Sequence, residues 1–260
     1  MIDSVYRRIP GAEQPKISAF LRGECAGLHR TGGLFSRMKE WDTKHFGVGV
    51  GSIDCMDSAA TAADLGSALA WLRKAGAKCV MARPPASDTR LVALFEDAGF
   101  RVMDCLVTFG AEPRAGARFE EANTADARAL SAIAAKAFTF DHFHADPRFP
   151  KKKSDSMFAD WAADCLRKKT VLVERTAGGV GGFVTCGLDP FGGIGRIDLI
   201  AVKKPGMGTG GRLLGGALSW FRGKADFVLV GTQATNPAMR LYCGAGLKPL
   251  FAQYSMHLWM

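Results

Sequence analysis

One stretch of this chain echoes another, and the echo limits the possible fold more than any other feature. Residues 68–82, ALAWLRKAGAKCVMA, read as an amphipathic helix, a turn and a strand; residues 217–230, ALSWFRGKADFVLV, read the same way. A polar loop and a short helix follow each. The first helix ends Leu94-Phe95-Glu96-Asp97-Ala98-Gly99-Phe100, the second Leu241-Tyr242-Cys243-Gly244-Ala245-Gly246-Leu247. Gly99 and Gly246 suit the position just past a helix, where a left-handed backbone costs glycine little. Strands are expected over 100–109 and 250–259. From Trp71 to Phe95 is 24 residues and from Trp220 to Tyr242 is 22, so order and spacing both repeat.

The breaker-rich run Ala111-Glu112-Pro113-Arg114-Ala115-Gly116 separates the copies. It predicts an N-terminal lobe over 1–112 and a C-terminal domain over 113–260. In the latter a strand is expected over 117–121. Asn123-Thr124-Ala125-Asp126 is suited to cap the helix that continues ARALSAIAAKAF. An irregular stretch, 139–153, precedes a helix over 154–167, in which Met157, Phe158 and Trp161 read as core. Strands are expected near 170–175, 180–187 and 195–202. The fold class is α/β, with a mixed sheet in each half.

Composition supports a packed domain: of 260 residues 48% are hydrophobic and 23% charged. No apolar run reaches the roughly 18 residues of a membrane span. The opening MIDSVYRRIPGAEQPK has no stretch of signal-peptide length, so a cytoplasmic protein is expected. The net charge of +9 favours anionic partners. Its basic residues are scattered rather than interleaved with aromatics, which argues against a nucleic-acid groove and for a phosphate-bearing small molecule. The seven cysteines form no CxxC pair and read as reduced thiols, without a zinc site.

The copies differ where chemistry would sit. In the second, strand 197–202 leads through Lys203-Lys204-Pro205 into Gly206-Met207-Gly208-Thr209-Gly210-Gly211 and a helix from Arg212 to about Arg222. A glycine-rich turn at a helix start lets amides approach a phosphate or pyrophosphate at the positive end of the helix dipole. Lys203, Lys204 and Arg212 are suited to add charge-assisted bonds. No Gly-Lys-Ser/Thr follows, so it is no P-loop, and the spacing and lack of a downstream acid make a poor dinucleotide fingerprint. A flexible loop is the plain alternative. The first copy has Asp57-Ser58-Ala59-Ala60-Thr61-Ala62-Ala63-Asp64 at this place: two acids and no glycine. It also has Phe95, with no proton to give, where the second has Tyr242.

With these parts in place, residues 117–260 resemble the GNAT acyl-CoA N-acetyltransferases. The resemblance rests on strand 197–202, Gly206 to Gly211, the helix after it, strand 227–232 and the segment Asn236-Pro237-Ala238-Met239-Arg240-Leu241-Tyr242 with Gly246-Leu247. Residues 143–161, FHADPRFPKKKSDSMFADW, the ending Gln253-Tyr254-Ser255-Met256-His257-Leu258-Trp259 and the opening Trp41-Asp42-Thr43-Lys44-His45-Phe46-Gly47 are similar to a narrower group, the dTDP-fucosamine acetyltransferases. That group acetylates the 4-amino group of a nucleotide-linked 4-amino-4,6-dideoxygalactose. The implied architecture is a catalytic GNAT domain behind a degenerate GNAT-like lobe. Pro205 departs from the Arg or Gln usual in the family, and Asn236 lies six residues before Tyr242 rather than seven.

The resemblance implies acetyl-CoA as donor and no metal. Leu199, Ile200, Ala201 and Val202 would meet its pantetheine arm, and Gly206, Met207, Gly208, Thr209, Gly210 and Gly211 its pyrophosphate; Asn236 and Tyr242 complete the set. Attack by a neutral amine leaves a thiolate that needs a proton. A tyrosine, with an ordinary pKa near 10, holds one at neutral pH, so Tyr242 is the expected general acid; its plain alternative is a packed aromatic. The base is open among His142, His144, Asp146, Asp198 and Gln233. His142, His144, Arg148 and Gln233 are the expected acceptor-side groups, although loop packing and solvated charge explain the first three equally simply. Trp41 reads as a stacking platform or as core. The implied partner is a small-molecule amine, with neither nucleic acid nor membrane, and the protein a monomer or homodimer. The same chemistry on a protein N-terminus, polyamine or antibiotic stays open, as does a non-catalytic acyl-CoA-binding module.

Overall fold

A computed structural model describes residues 28–189 and 193–260. In chain order its first elements are β1 (His29–Thr31), β2 (Leu34–Met38), α1 (Glu40–Phe46), β3 (Val50–Met56), α2 (Ala62–Lys74), β4 (Cys79–Ala82), α3 (Thr89–Asp97) and β5 (Arg101–Ala111). Then come β6 (Glu120–Glu121), a 3-10 turn (Thr124–Asp126), α4 (Ala127–Ala137), α5 (His142–Ala145), α6 (Lys151–Lys168), β7 (Thr170–Thr176) and β8 (Gly179–Leu188). The last are β9 (Ile194–Ile197), β10 (Ile200–Val202), α7 (Thr209–Trp220), β11 (Phe227–Gln233), α8 (Ala238–Gly244) and β12 (Lys248–Trp259).

The chain divides into two compact units. Among the described residues the first holds 28–107, 141–150 and 251–260; the second holds 108–140, 151–189 and 193–250. The expected single cut at 112/113 is therefore replaced by a discontinuous division. Residues 141–150 and 251–260 find their partners in the first unit, for reasons that the side chains below make plain.

The first unit carries strands in the order β1-β2-β3-β4-β12. β3 and β4 are parallel and the other pairs antiparallel, with Met256 opposite Ala82 and Trp259 opposite Cys79. All four residues of β4 are buried, as a strand covered on both faces requires. α2 buries Leu65, Ala68 and Leu72, one stripe at helical spacing. Its start is closed by its own side chains: Thr61 Oγ1 accepts from the Asp64 amide while Asp64 accepts from the Thr61 amide. α3 buries Leu91 and Phe95, one turn apart. Phe95 is fully buried, which contributes about 2–3 kcal/mol relative to exposure.

The second unit carries β11-β9-β8-β7-β6. β11 and β9 are parallel, the rest antiparallel, and β10 pairs with β8. α4 and α6 pack on one another through Leu130, Ile133 and Ala134 on one side and Met157, Phe158, Ala162 and Cys165 on the other. The expected core roles of Met157 and Phe158 hold; Trp161 stacks on Phe158 with centroids 5.8 Å apart. Asn123 and Asp126 form the capping box ahead of α4.

Candidate active site

The strand expected over 195–202 is broken, and the break shapes the second unit. β9 runs beside β11 from Ile194/Phe227 to Ile197/Val230. Then the chain leaves: β10 pairs with β8 alone, Ile200 opposite Val184 and Val202 opposite Gly182. The hinge is Thr185, fully buried on β8. Its hydroxyl accepts from the amides of Asp198 (3.1 Å) and Leu199 (2.9 Å), and its own amide donates to Leu199 O (2.9 Å). A side-chain oxygen thus takes the place of a backbone acceptor across the bulge. Beyond it, β10 and the end of β11, Gly231 to Gln233, have parted.

β10 runs into the glycine loop. Gly206 and Gly208 have φ of +85° and +73°, the left-handed region open to glycine. Gly208 is the N-cap of α7, and no side chain caps it among the described residues. The helix starts at Thr209 rather than Arg212, so Gly210 and Gly211 lie in its first turn, whose amides have no acceptor within the helix. A Cβ on Gly206 would meet nothing within 4 Å, whereas one on Gly210 would lie 3.3 Å from Leu241 Cδ2. α7 thus adjoins α8, the helix that carries Tyr242. The loop with its bare first turn is shaped and charged for an anion.

One charge near this helix start has no signal in the sequence. Glu174, on β7, accepts from Thr209 Oγ1 (3.0 Å) and from Arg212 Nη2 (2.6 Å) and Nε (3.0 Å). The bonds to Arg212 hold the Glu174 carboxyl below its ordinary range. Arg212, expected to face a phosphate, is paired with this acid, and its Nη1 donates to Met207 O (3.1 Å). Nothing in spacing announces a partner 38 residues upstream. Lys203 and Lys204 are exposed, and Met207 is 67% exposed.

Tyr242 is buried and packs edge-on against Phe109, centroids 5.5 Å apart. Burial raises its pKa well above the ordinary tyrosine value, so the phenol keeps its proton throughout the physiological range. Just ahead of α8, Asn236 Oδ1 accepts from the Ala238 amide at 2.9 Å. Leu199 is buried at the hinge, and Gln233 is half-buried at the end of β11. Asp198 is paired with Lys169 and lies 3.8 Å from Arg196.

The remaining acceptor-side candidates lie in the first unit. There, Asp146 is almost fully buried and accepts from Arg148 Nε (2.7 Å) and Nη2 (2.9 Å), Trp259 Nε1 (2.9 Å) and the Arg148 amide (3.1 Å). It also bonds His257 Nδ1 at 2.8 Å, and these donors hold its carboxyl well below the usual range against the effect of burial. Arg148, expected to meet a diphosphate, spends its guanidinium on Asp146 and lies over the Trp259 ring. His142 Nδ1 bonds His257 Nε2 at 2.8 Å; His144 pairs with Asp141. Trp41 is 38% exposed and stacks on His45, so it is not core. No pattern in the sequence marks His257 or Arg83; they become visible only when β12 is laid beside β4. Among the described residues no group of side chains could hold a metal ion, and no helix is long and apolar enough to cross a membrane.

The fold defined by these elements is that of GNAT acetyltransferases. A GCN5-related N-acetyltransferase from Sphaerobacter thermophilus matches 99% of this chain and 92% of its own at 17% identity, with a TM-score of 0.60. One from Kribbella flavida matches 93% and 92% at 15% identity and 0.60. A tandem GNAT protein from the clavulanic acid biosynthesis pathway matches 99% and 93% at 12% identity and 0.55, in keeping with two GNAT-like units in one chain. No family model and no curated protein matches the sequence. At these identities the likeness is one of fold.

Proposed function

We propose that the protein transfers the acetyl group of acetyl-CoA to the primary amine of a small molecule. The observation that carries this is the parting of β10 from β11 just ahead of a glycine loop and an uncapped helix start. Parted strands leave outward backbone groups of Ile200 to Val202 open to an amide-bearing chain such as pantetheine, whereas both backbone groups of Leu199, expected in that set, are taken by Thr185. The amides from Gly206 to Gly211 suit its pyrophosphate, although Glu174 beside them adds a like charge. An amide near Ala201 or Val202 stabilises the oxyanion that develops on the thioester carbonyl; one such donor contributes roughly 3–4 kcal/mol. Tyr242, protonated at neutral pH, donates its proton to the departing thiolate, and the proton that the attacking amine gives up to solvent balances the transfer. Asn236 supports the site by holding the start of α8.

For the acceptor, the resemblance noted in the sequence favours a nucleotide-linked 4-amino-4,6-dideoxyhexose, and Gln233 is a group suited to hold it. The test is saturable release of CoA thiol from acetyl-CoA across an amine panel: an amino-sugar nucleotide, polyamines, aminoglycosides and peptides with free N-termini. Turnover on the amino-sugar nucleotide alone supports the full reading. Turnover on another amine keeps acetyl transfer and removes the sugar. Tight acetyl-CoA binding by calorimetry with no turnover on any amine makes the protein a binding module and overturns the reading.

A further inference from the structure

The first unit contains a directed hydrogen-bond chain that acetyl transfer does not explain. Its members are Arg83, His142, His257 and Asp146, linked Nη2 to Nε2 (3.2 Å), Nδ1 to Nε2 (2.8 Å) and Nδ1 to Oδ2 (2.8 Å). The direction follows from chemistry. A guanidinium has donors only, so His142 Nε2 accepts. The proton of neutral His142 is then on Nδ1 and is donated to His257 Nε2. That ring's proton is in turn on Nδ1 and is donated to the Asp146 carboxylate. Exposure rises along the same path: Asp146 and His257 are each 1% exposed, His142 is 7%, and Arg83 lies at the surface.

We propose that Arg83 and His142 form an oxyanion site in the first unit, for a carboxylate or phosphate group, and that filling it is coupled to uptake of a proton by the histidine pair. An anion that pairs with Arg83 draws the guanidinium from His142 Nε2 and places negative charge against that lone pair. The ring then takes a proton from solvent at Nε2 and becomes a donor to the anion. As that N–H bond forms, the Nδ1 proton of His142 passes to His257 Nε2. His142 is left neutral with its proton on Nε2, and His257 becomes an imidazolium against Asp146. The buried pair thus stores the incoming charge beside a carboxylate that is already ionised.

The surrounding charges agree. Burial, then Arg83, His257 and Lys39, hold His142 well below the ordinary histidine range, while Asp146 pulls the other way. With no anion the ring is therefore neutral at pH 7. An anion that cancels Arg83 and Lys39 raises its proton affinity, so uptake accompanies binding. Asp42, 3.9 Å from Lys39 Nζ, has its own carboxyl raised by burial against the pull of Lys39 and Arg83. Arg148, on the far side, is bound to Asp146 and stays there.

The test uses the full chain, ¹⁵N-labelled in its five histidines, titrated at neutral pH with inorganic phosphate and with acetate. Saturation is expected to move His142 Nε2 from an unprotonated to a protonated nitrogen shift. A response to one probe alone identifies the source as phosphate or carboxylate; a response to both means that the shared oxyanion chemistry suffices. Arg83→Gln, an exposed site, should weaken binding about tenfold or more, the worth of a charge-assisted pair. His142→Gln should still bind, while calorimetry in two buffers of different ionisation heat shows no proton uptake. No histidine response to either anion, His142 Nε2 remaining unprotonated at saturation, or unchanged affinity of Arg83→Gln for the anion that elicits the response each overturns the proposal. Since none of these readouts needs acetyl-CoA, this inference and the acetyl-transfer reading stand or fall separately.

Discussion

The two units end their short helices alike and begin their long ones differently. After α3, Gly99 has φ +89° and the Phe100 amide donates to Phe95 O at 3.0 Å; after α8, Gly246 has φ +78° and the Leu247 amide donates to Tyr242 O at 3.0 Å. Phe95 and Tyr242 thus hold equivalent, buried places. At the helices before them the likeness fails. Thr61 and Asp64 occupy the first amides of α2, whereas α7 starts on Gly208 with no side chain across its amides. A duplicated frame can be kept for packing in one copy while the other leaves backbone donors open for a ligand. The difference lies in a handful of side chains, each with a local cost.

The largest effect should come from the first unit's buried carboxylate. Asp146→Ala leaves His257, Trp259 and Arg148 without their shared acceptor and should cost about 3–5 kcal/mol in urea unfolding. The same group predicts a pH dependence. Its folded pKa lies below the unfolded value of about 4, so its contribution is full above that value and fades as pH falls below it. Urea midpoints taken from pH 7 down to pH 3 should decline in the parent and stay flatter in the variant.

Exchanging the aromatic pair is the sharpest test of the comparison. Tyr242→Phe, which makes the second unit resemble the first, should lower kcat by about 10²–10³ in thiol-release assays with little loss of stability. Phe95→Tyr should create no activity and cost about 1–3 kcal/mol, because it buries a hydroxyl in an apolar place. Equal kcat in parent and Tyr242→Phe would remove the phenol from the mechanism.

Thr185→Val should follow, at about 2–3 kcal/mol, since the Asp198 and Leu199 amides lose their acceptor. Faster hydrogen exchange at these two amides is the readout. Smallest are the helix starts. Gly208→Ala strains a left-handed residue and brings a Cβ within 3.0 Å of Arg212 Nη1, a cost of about 1 kcal/mol with a rise in the acetyl-CoA KM. Thr61→Ala loses a cap for about the same cost and should leave that KM alone.

The sequence shows what is local and repeated. The helix start at Asn123, the glycines after α3 and α8 and the glycine loop all follow from nearest-neighbour chemistry. Three things were hidden. The family resemblance implies that strand 197–202 splays from strand 227–232, but the cause of the break at Asp198–Leu199, a threonine thirteen residues away on another strand, has no signal in the sequence. Glu174 lies 38 residues from Arg212, too far for any helical or strand period to join them. The Arg83–His142–His257–Asp146 chain gathers three segments, and its parts read separately as a charged loop residue, two loop groups and a strand histidine. Order along the chain places residues 141–150 with the second copy. The Asp146 carboxylate, which needs donors found on β12, decides otherwise.

The discontinuity of the first unit bears on biosynthesis. β4 is complete at Ala82, yet the strand that pairs with it, Met256 to Trp259, leaves the ribosome more than 170 codons later. At the usual ~5–20 residues per second, a fully buried strand edge stays unsealed for about ten seconds or longer. The half translated first is then the half finished last, and a nascent chain stalled before residue 251 presents to chaperones an open strand edge that the released protein has closed.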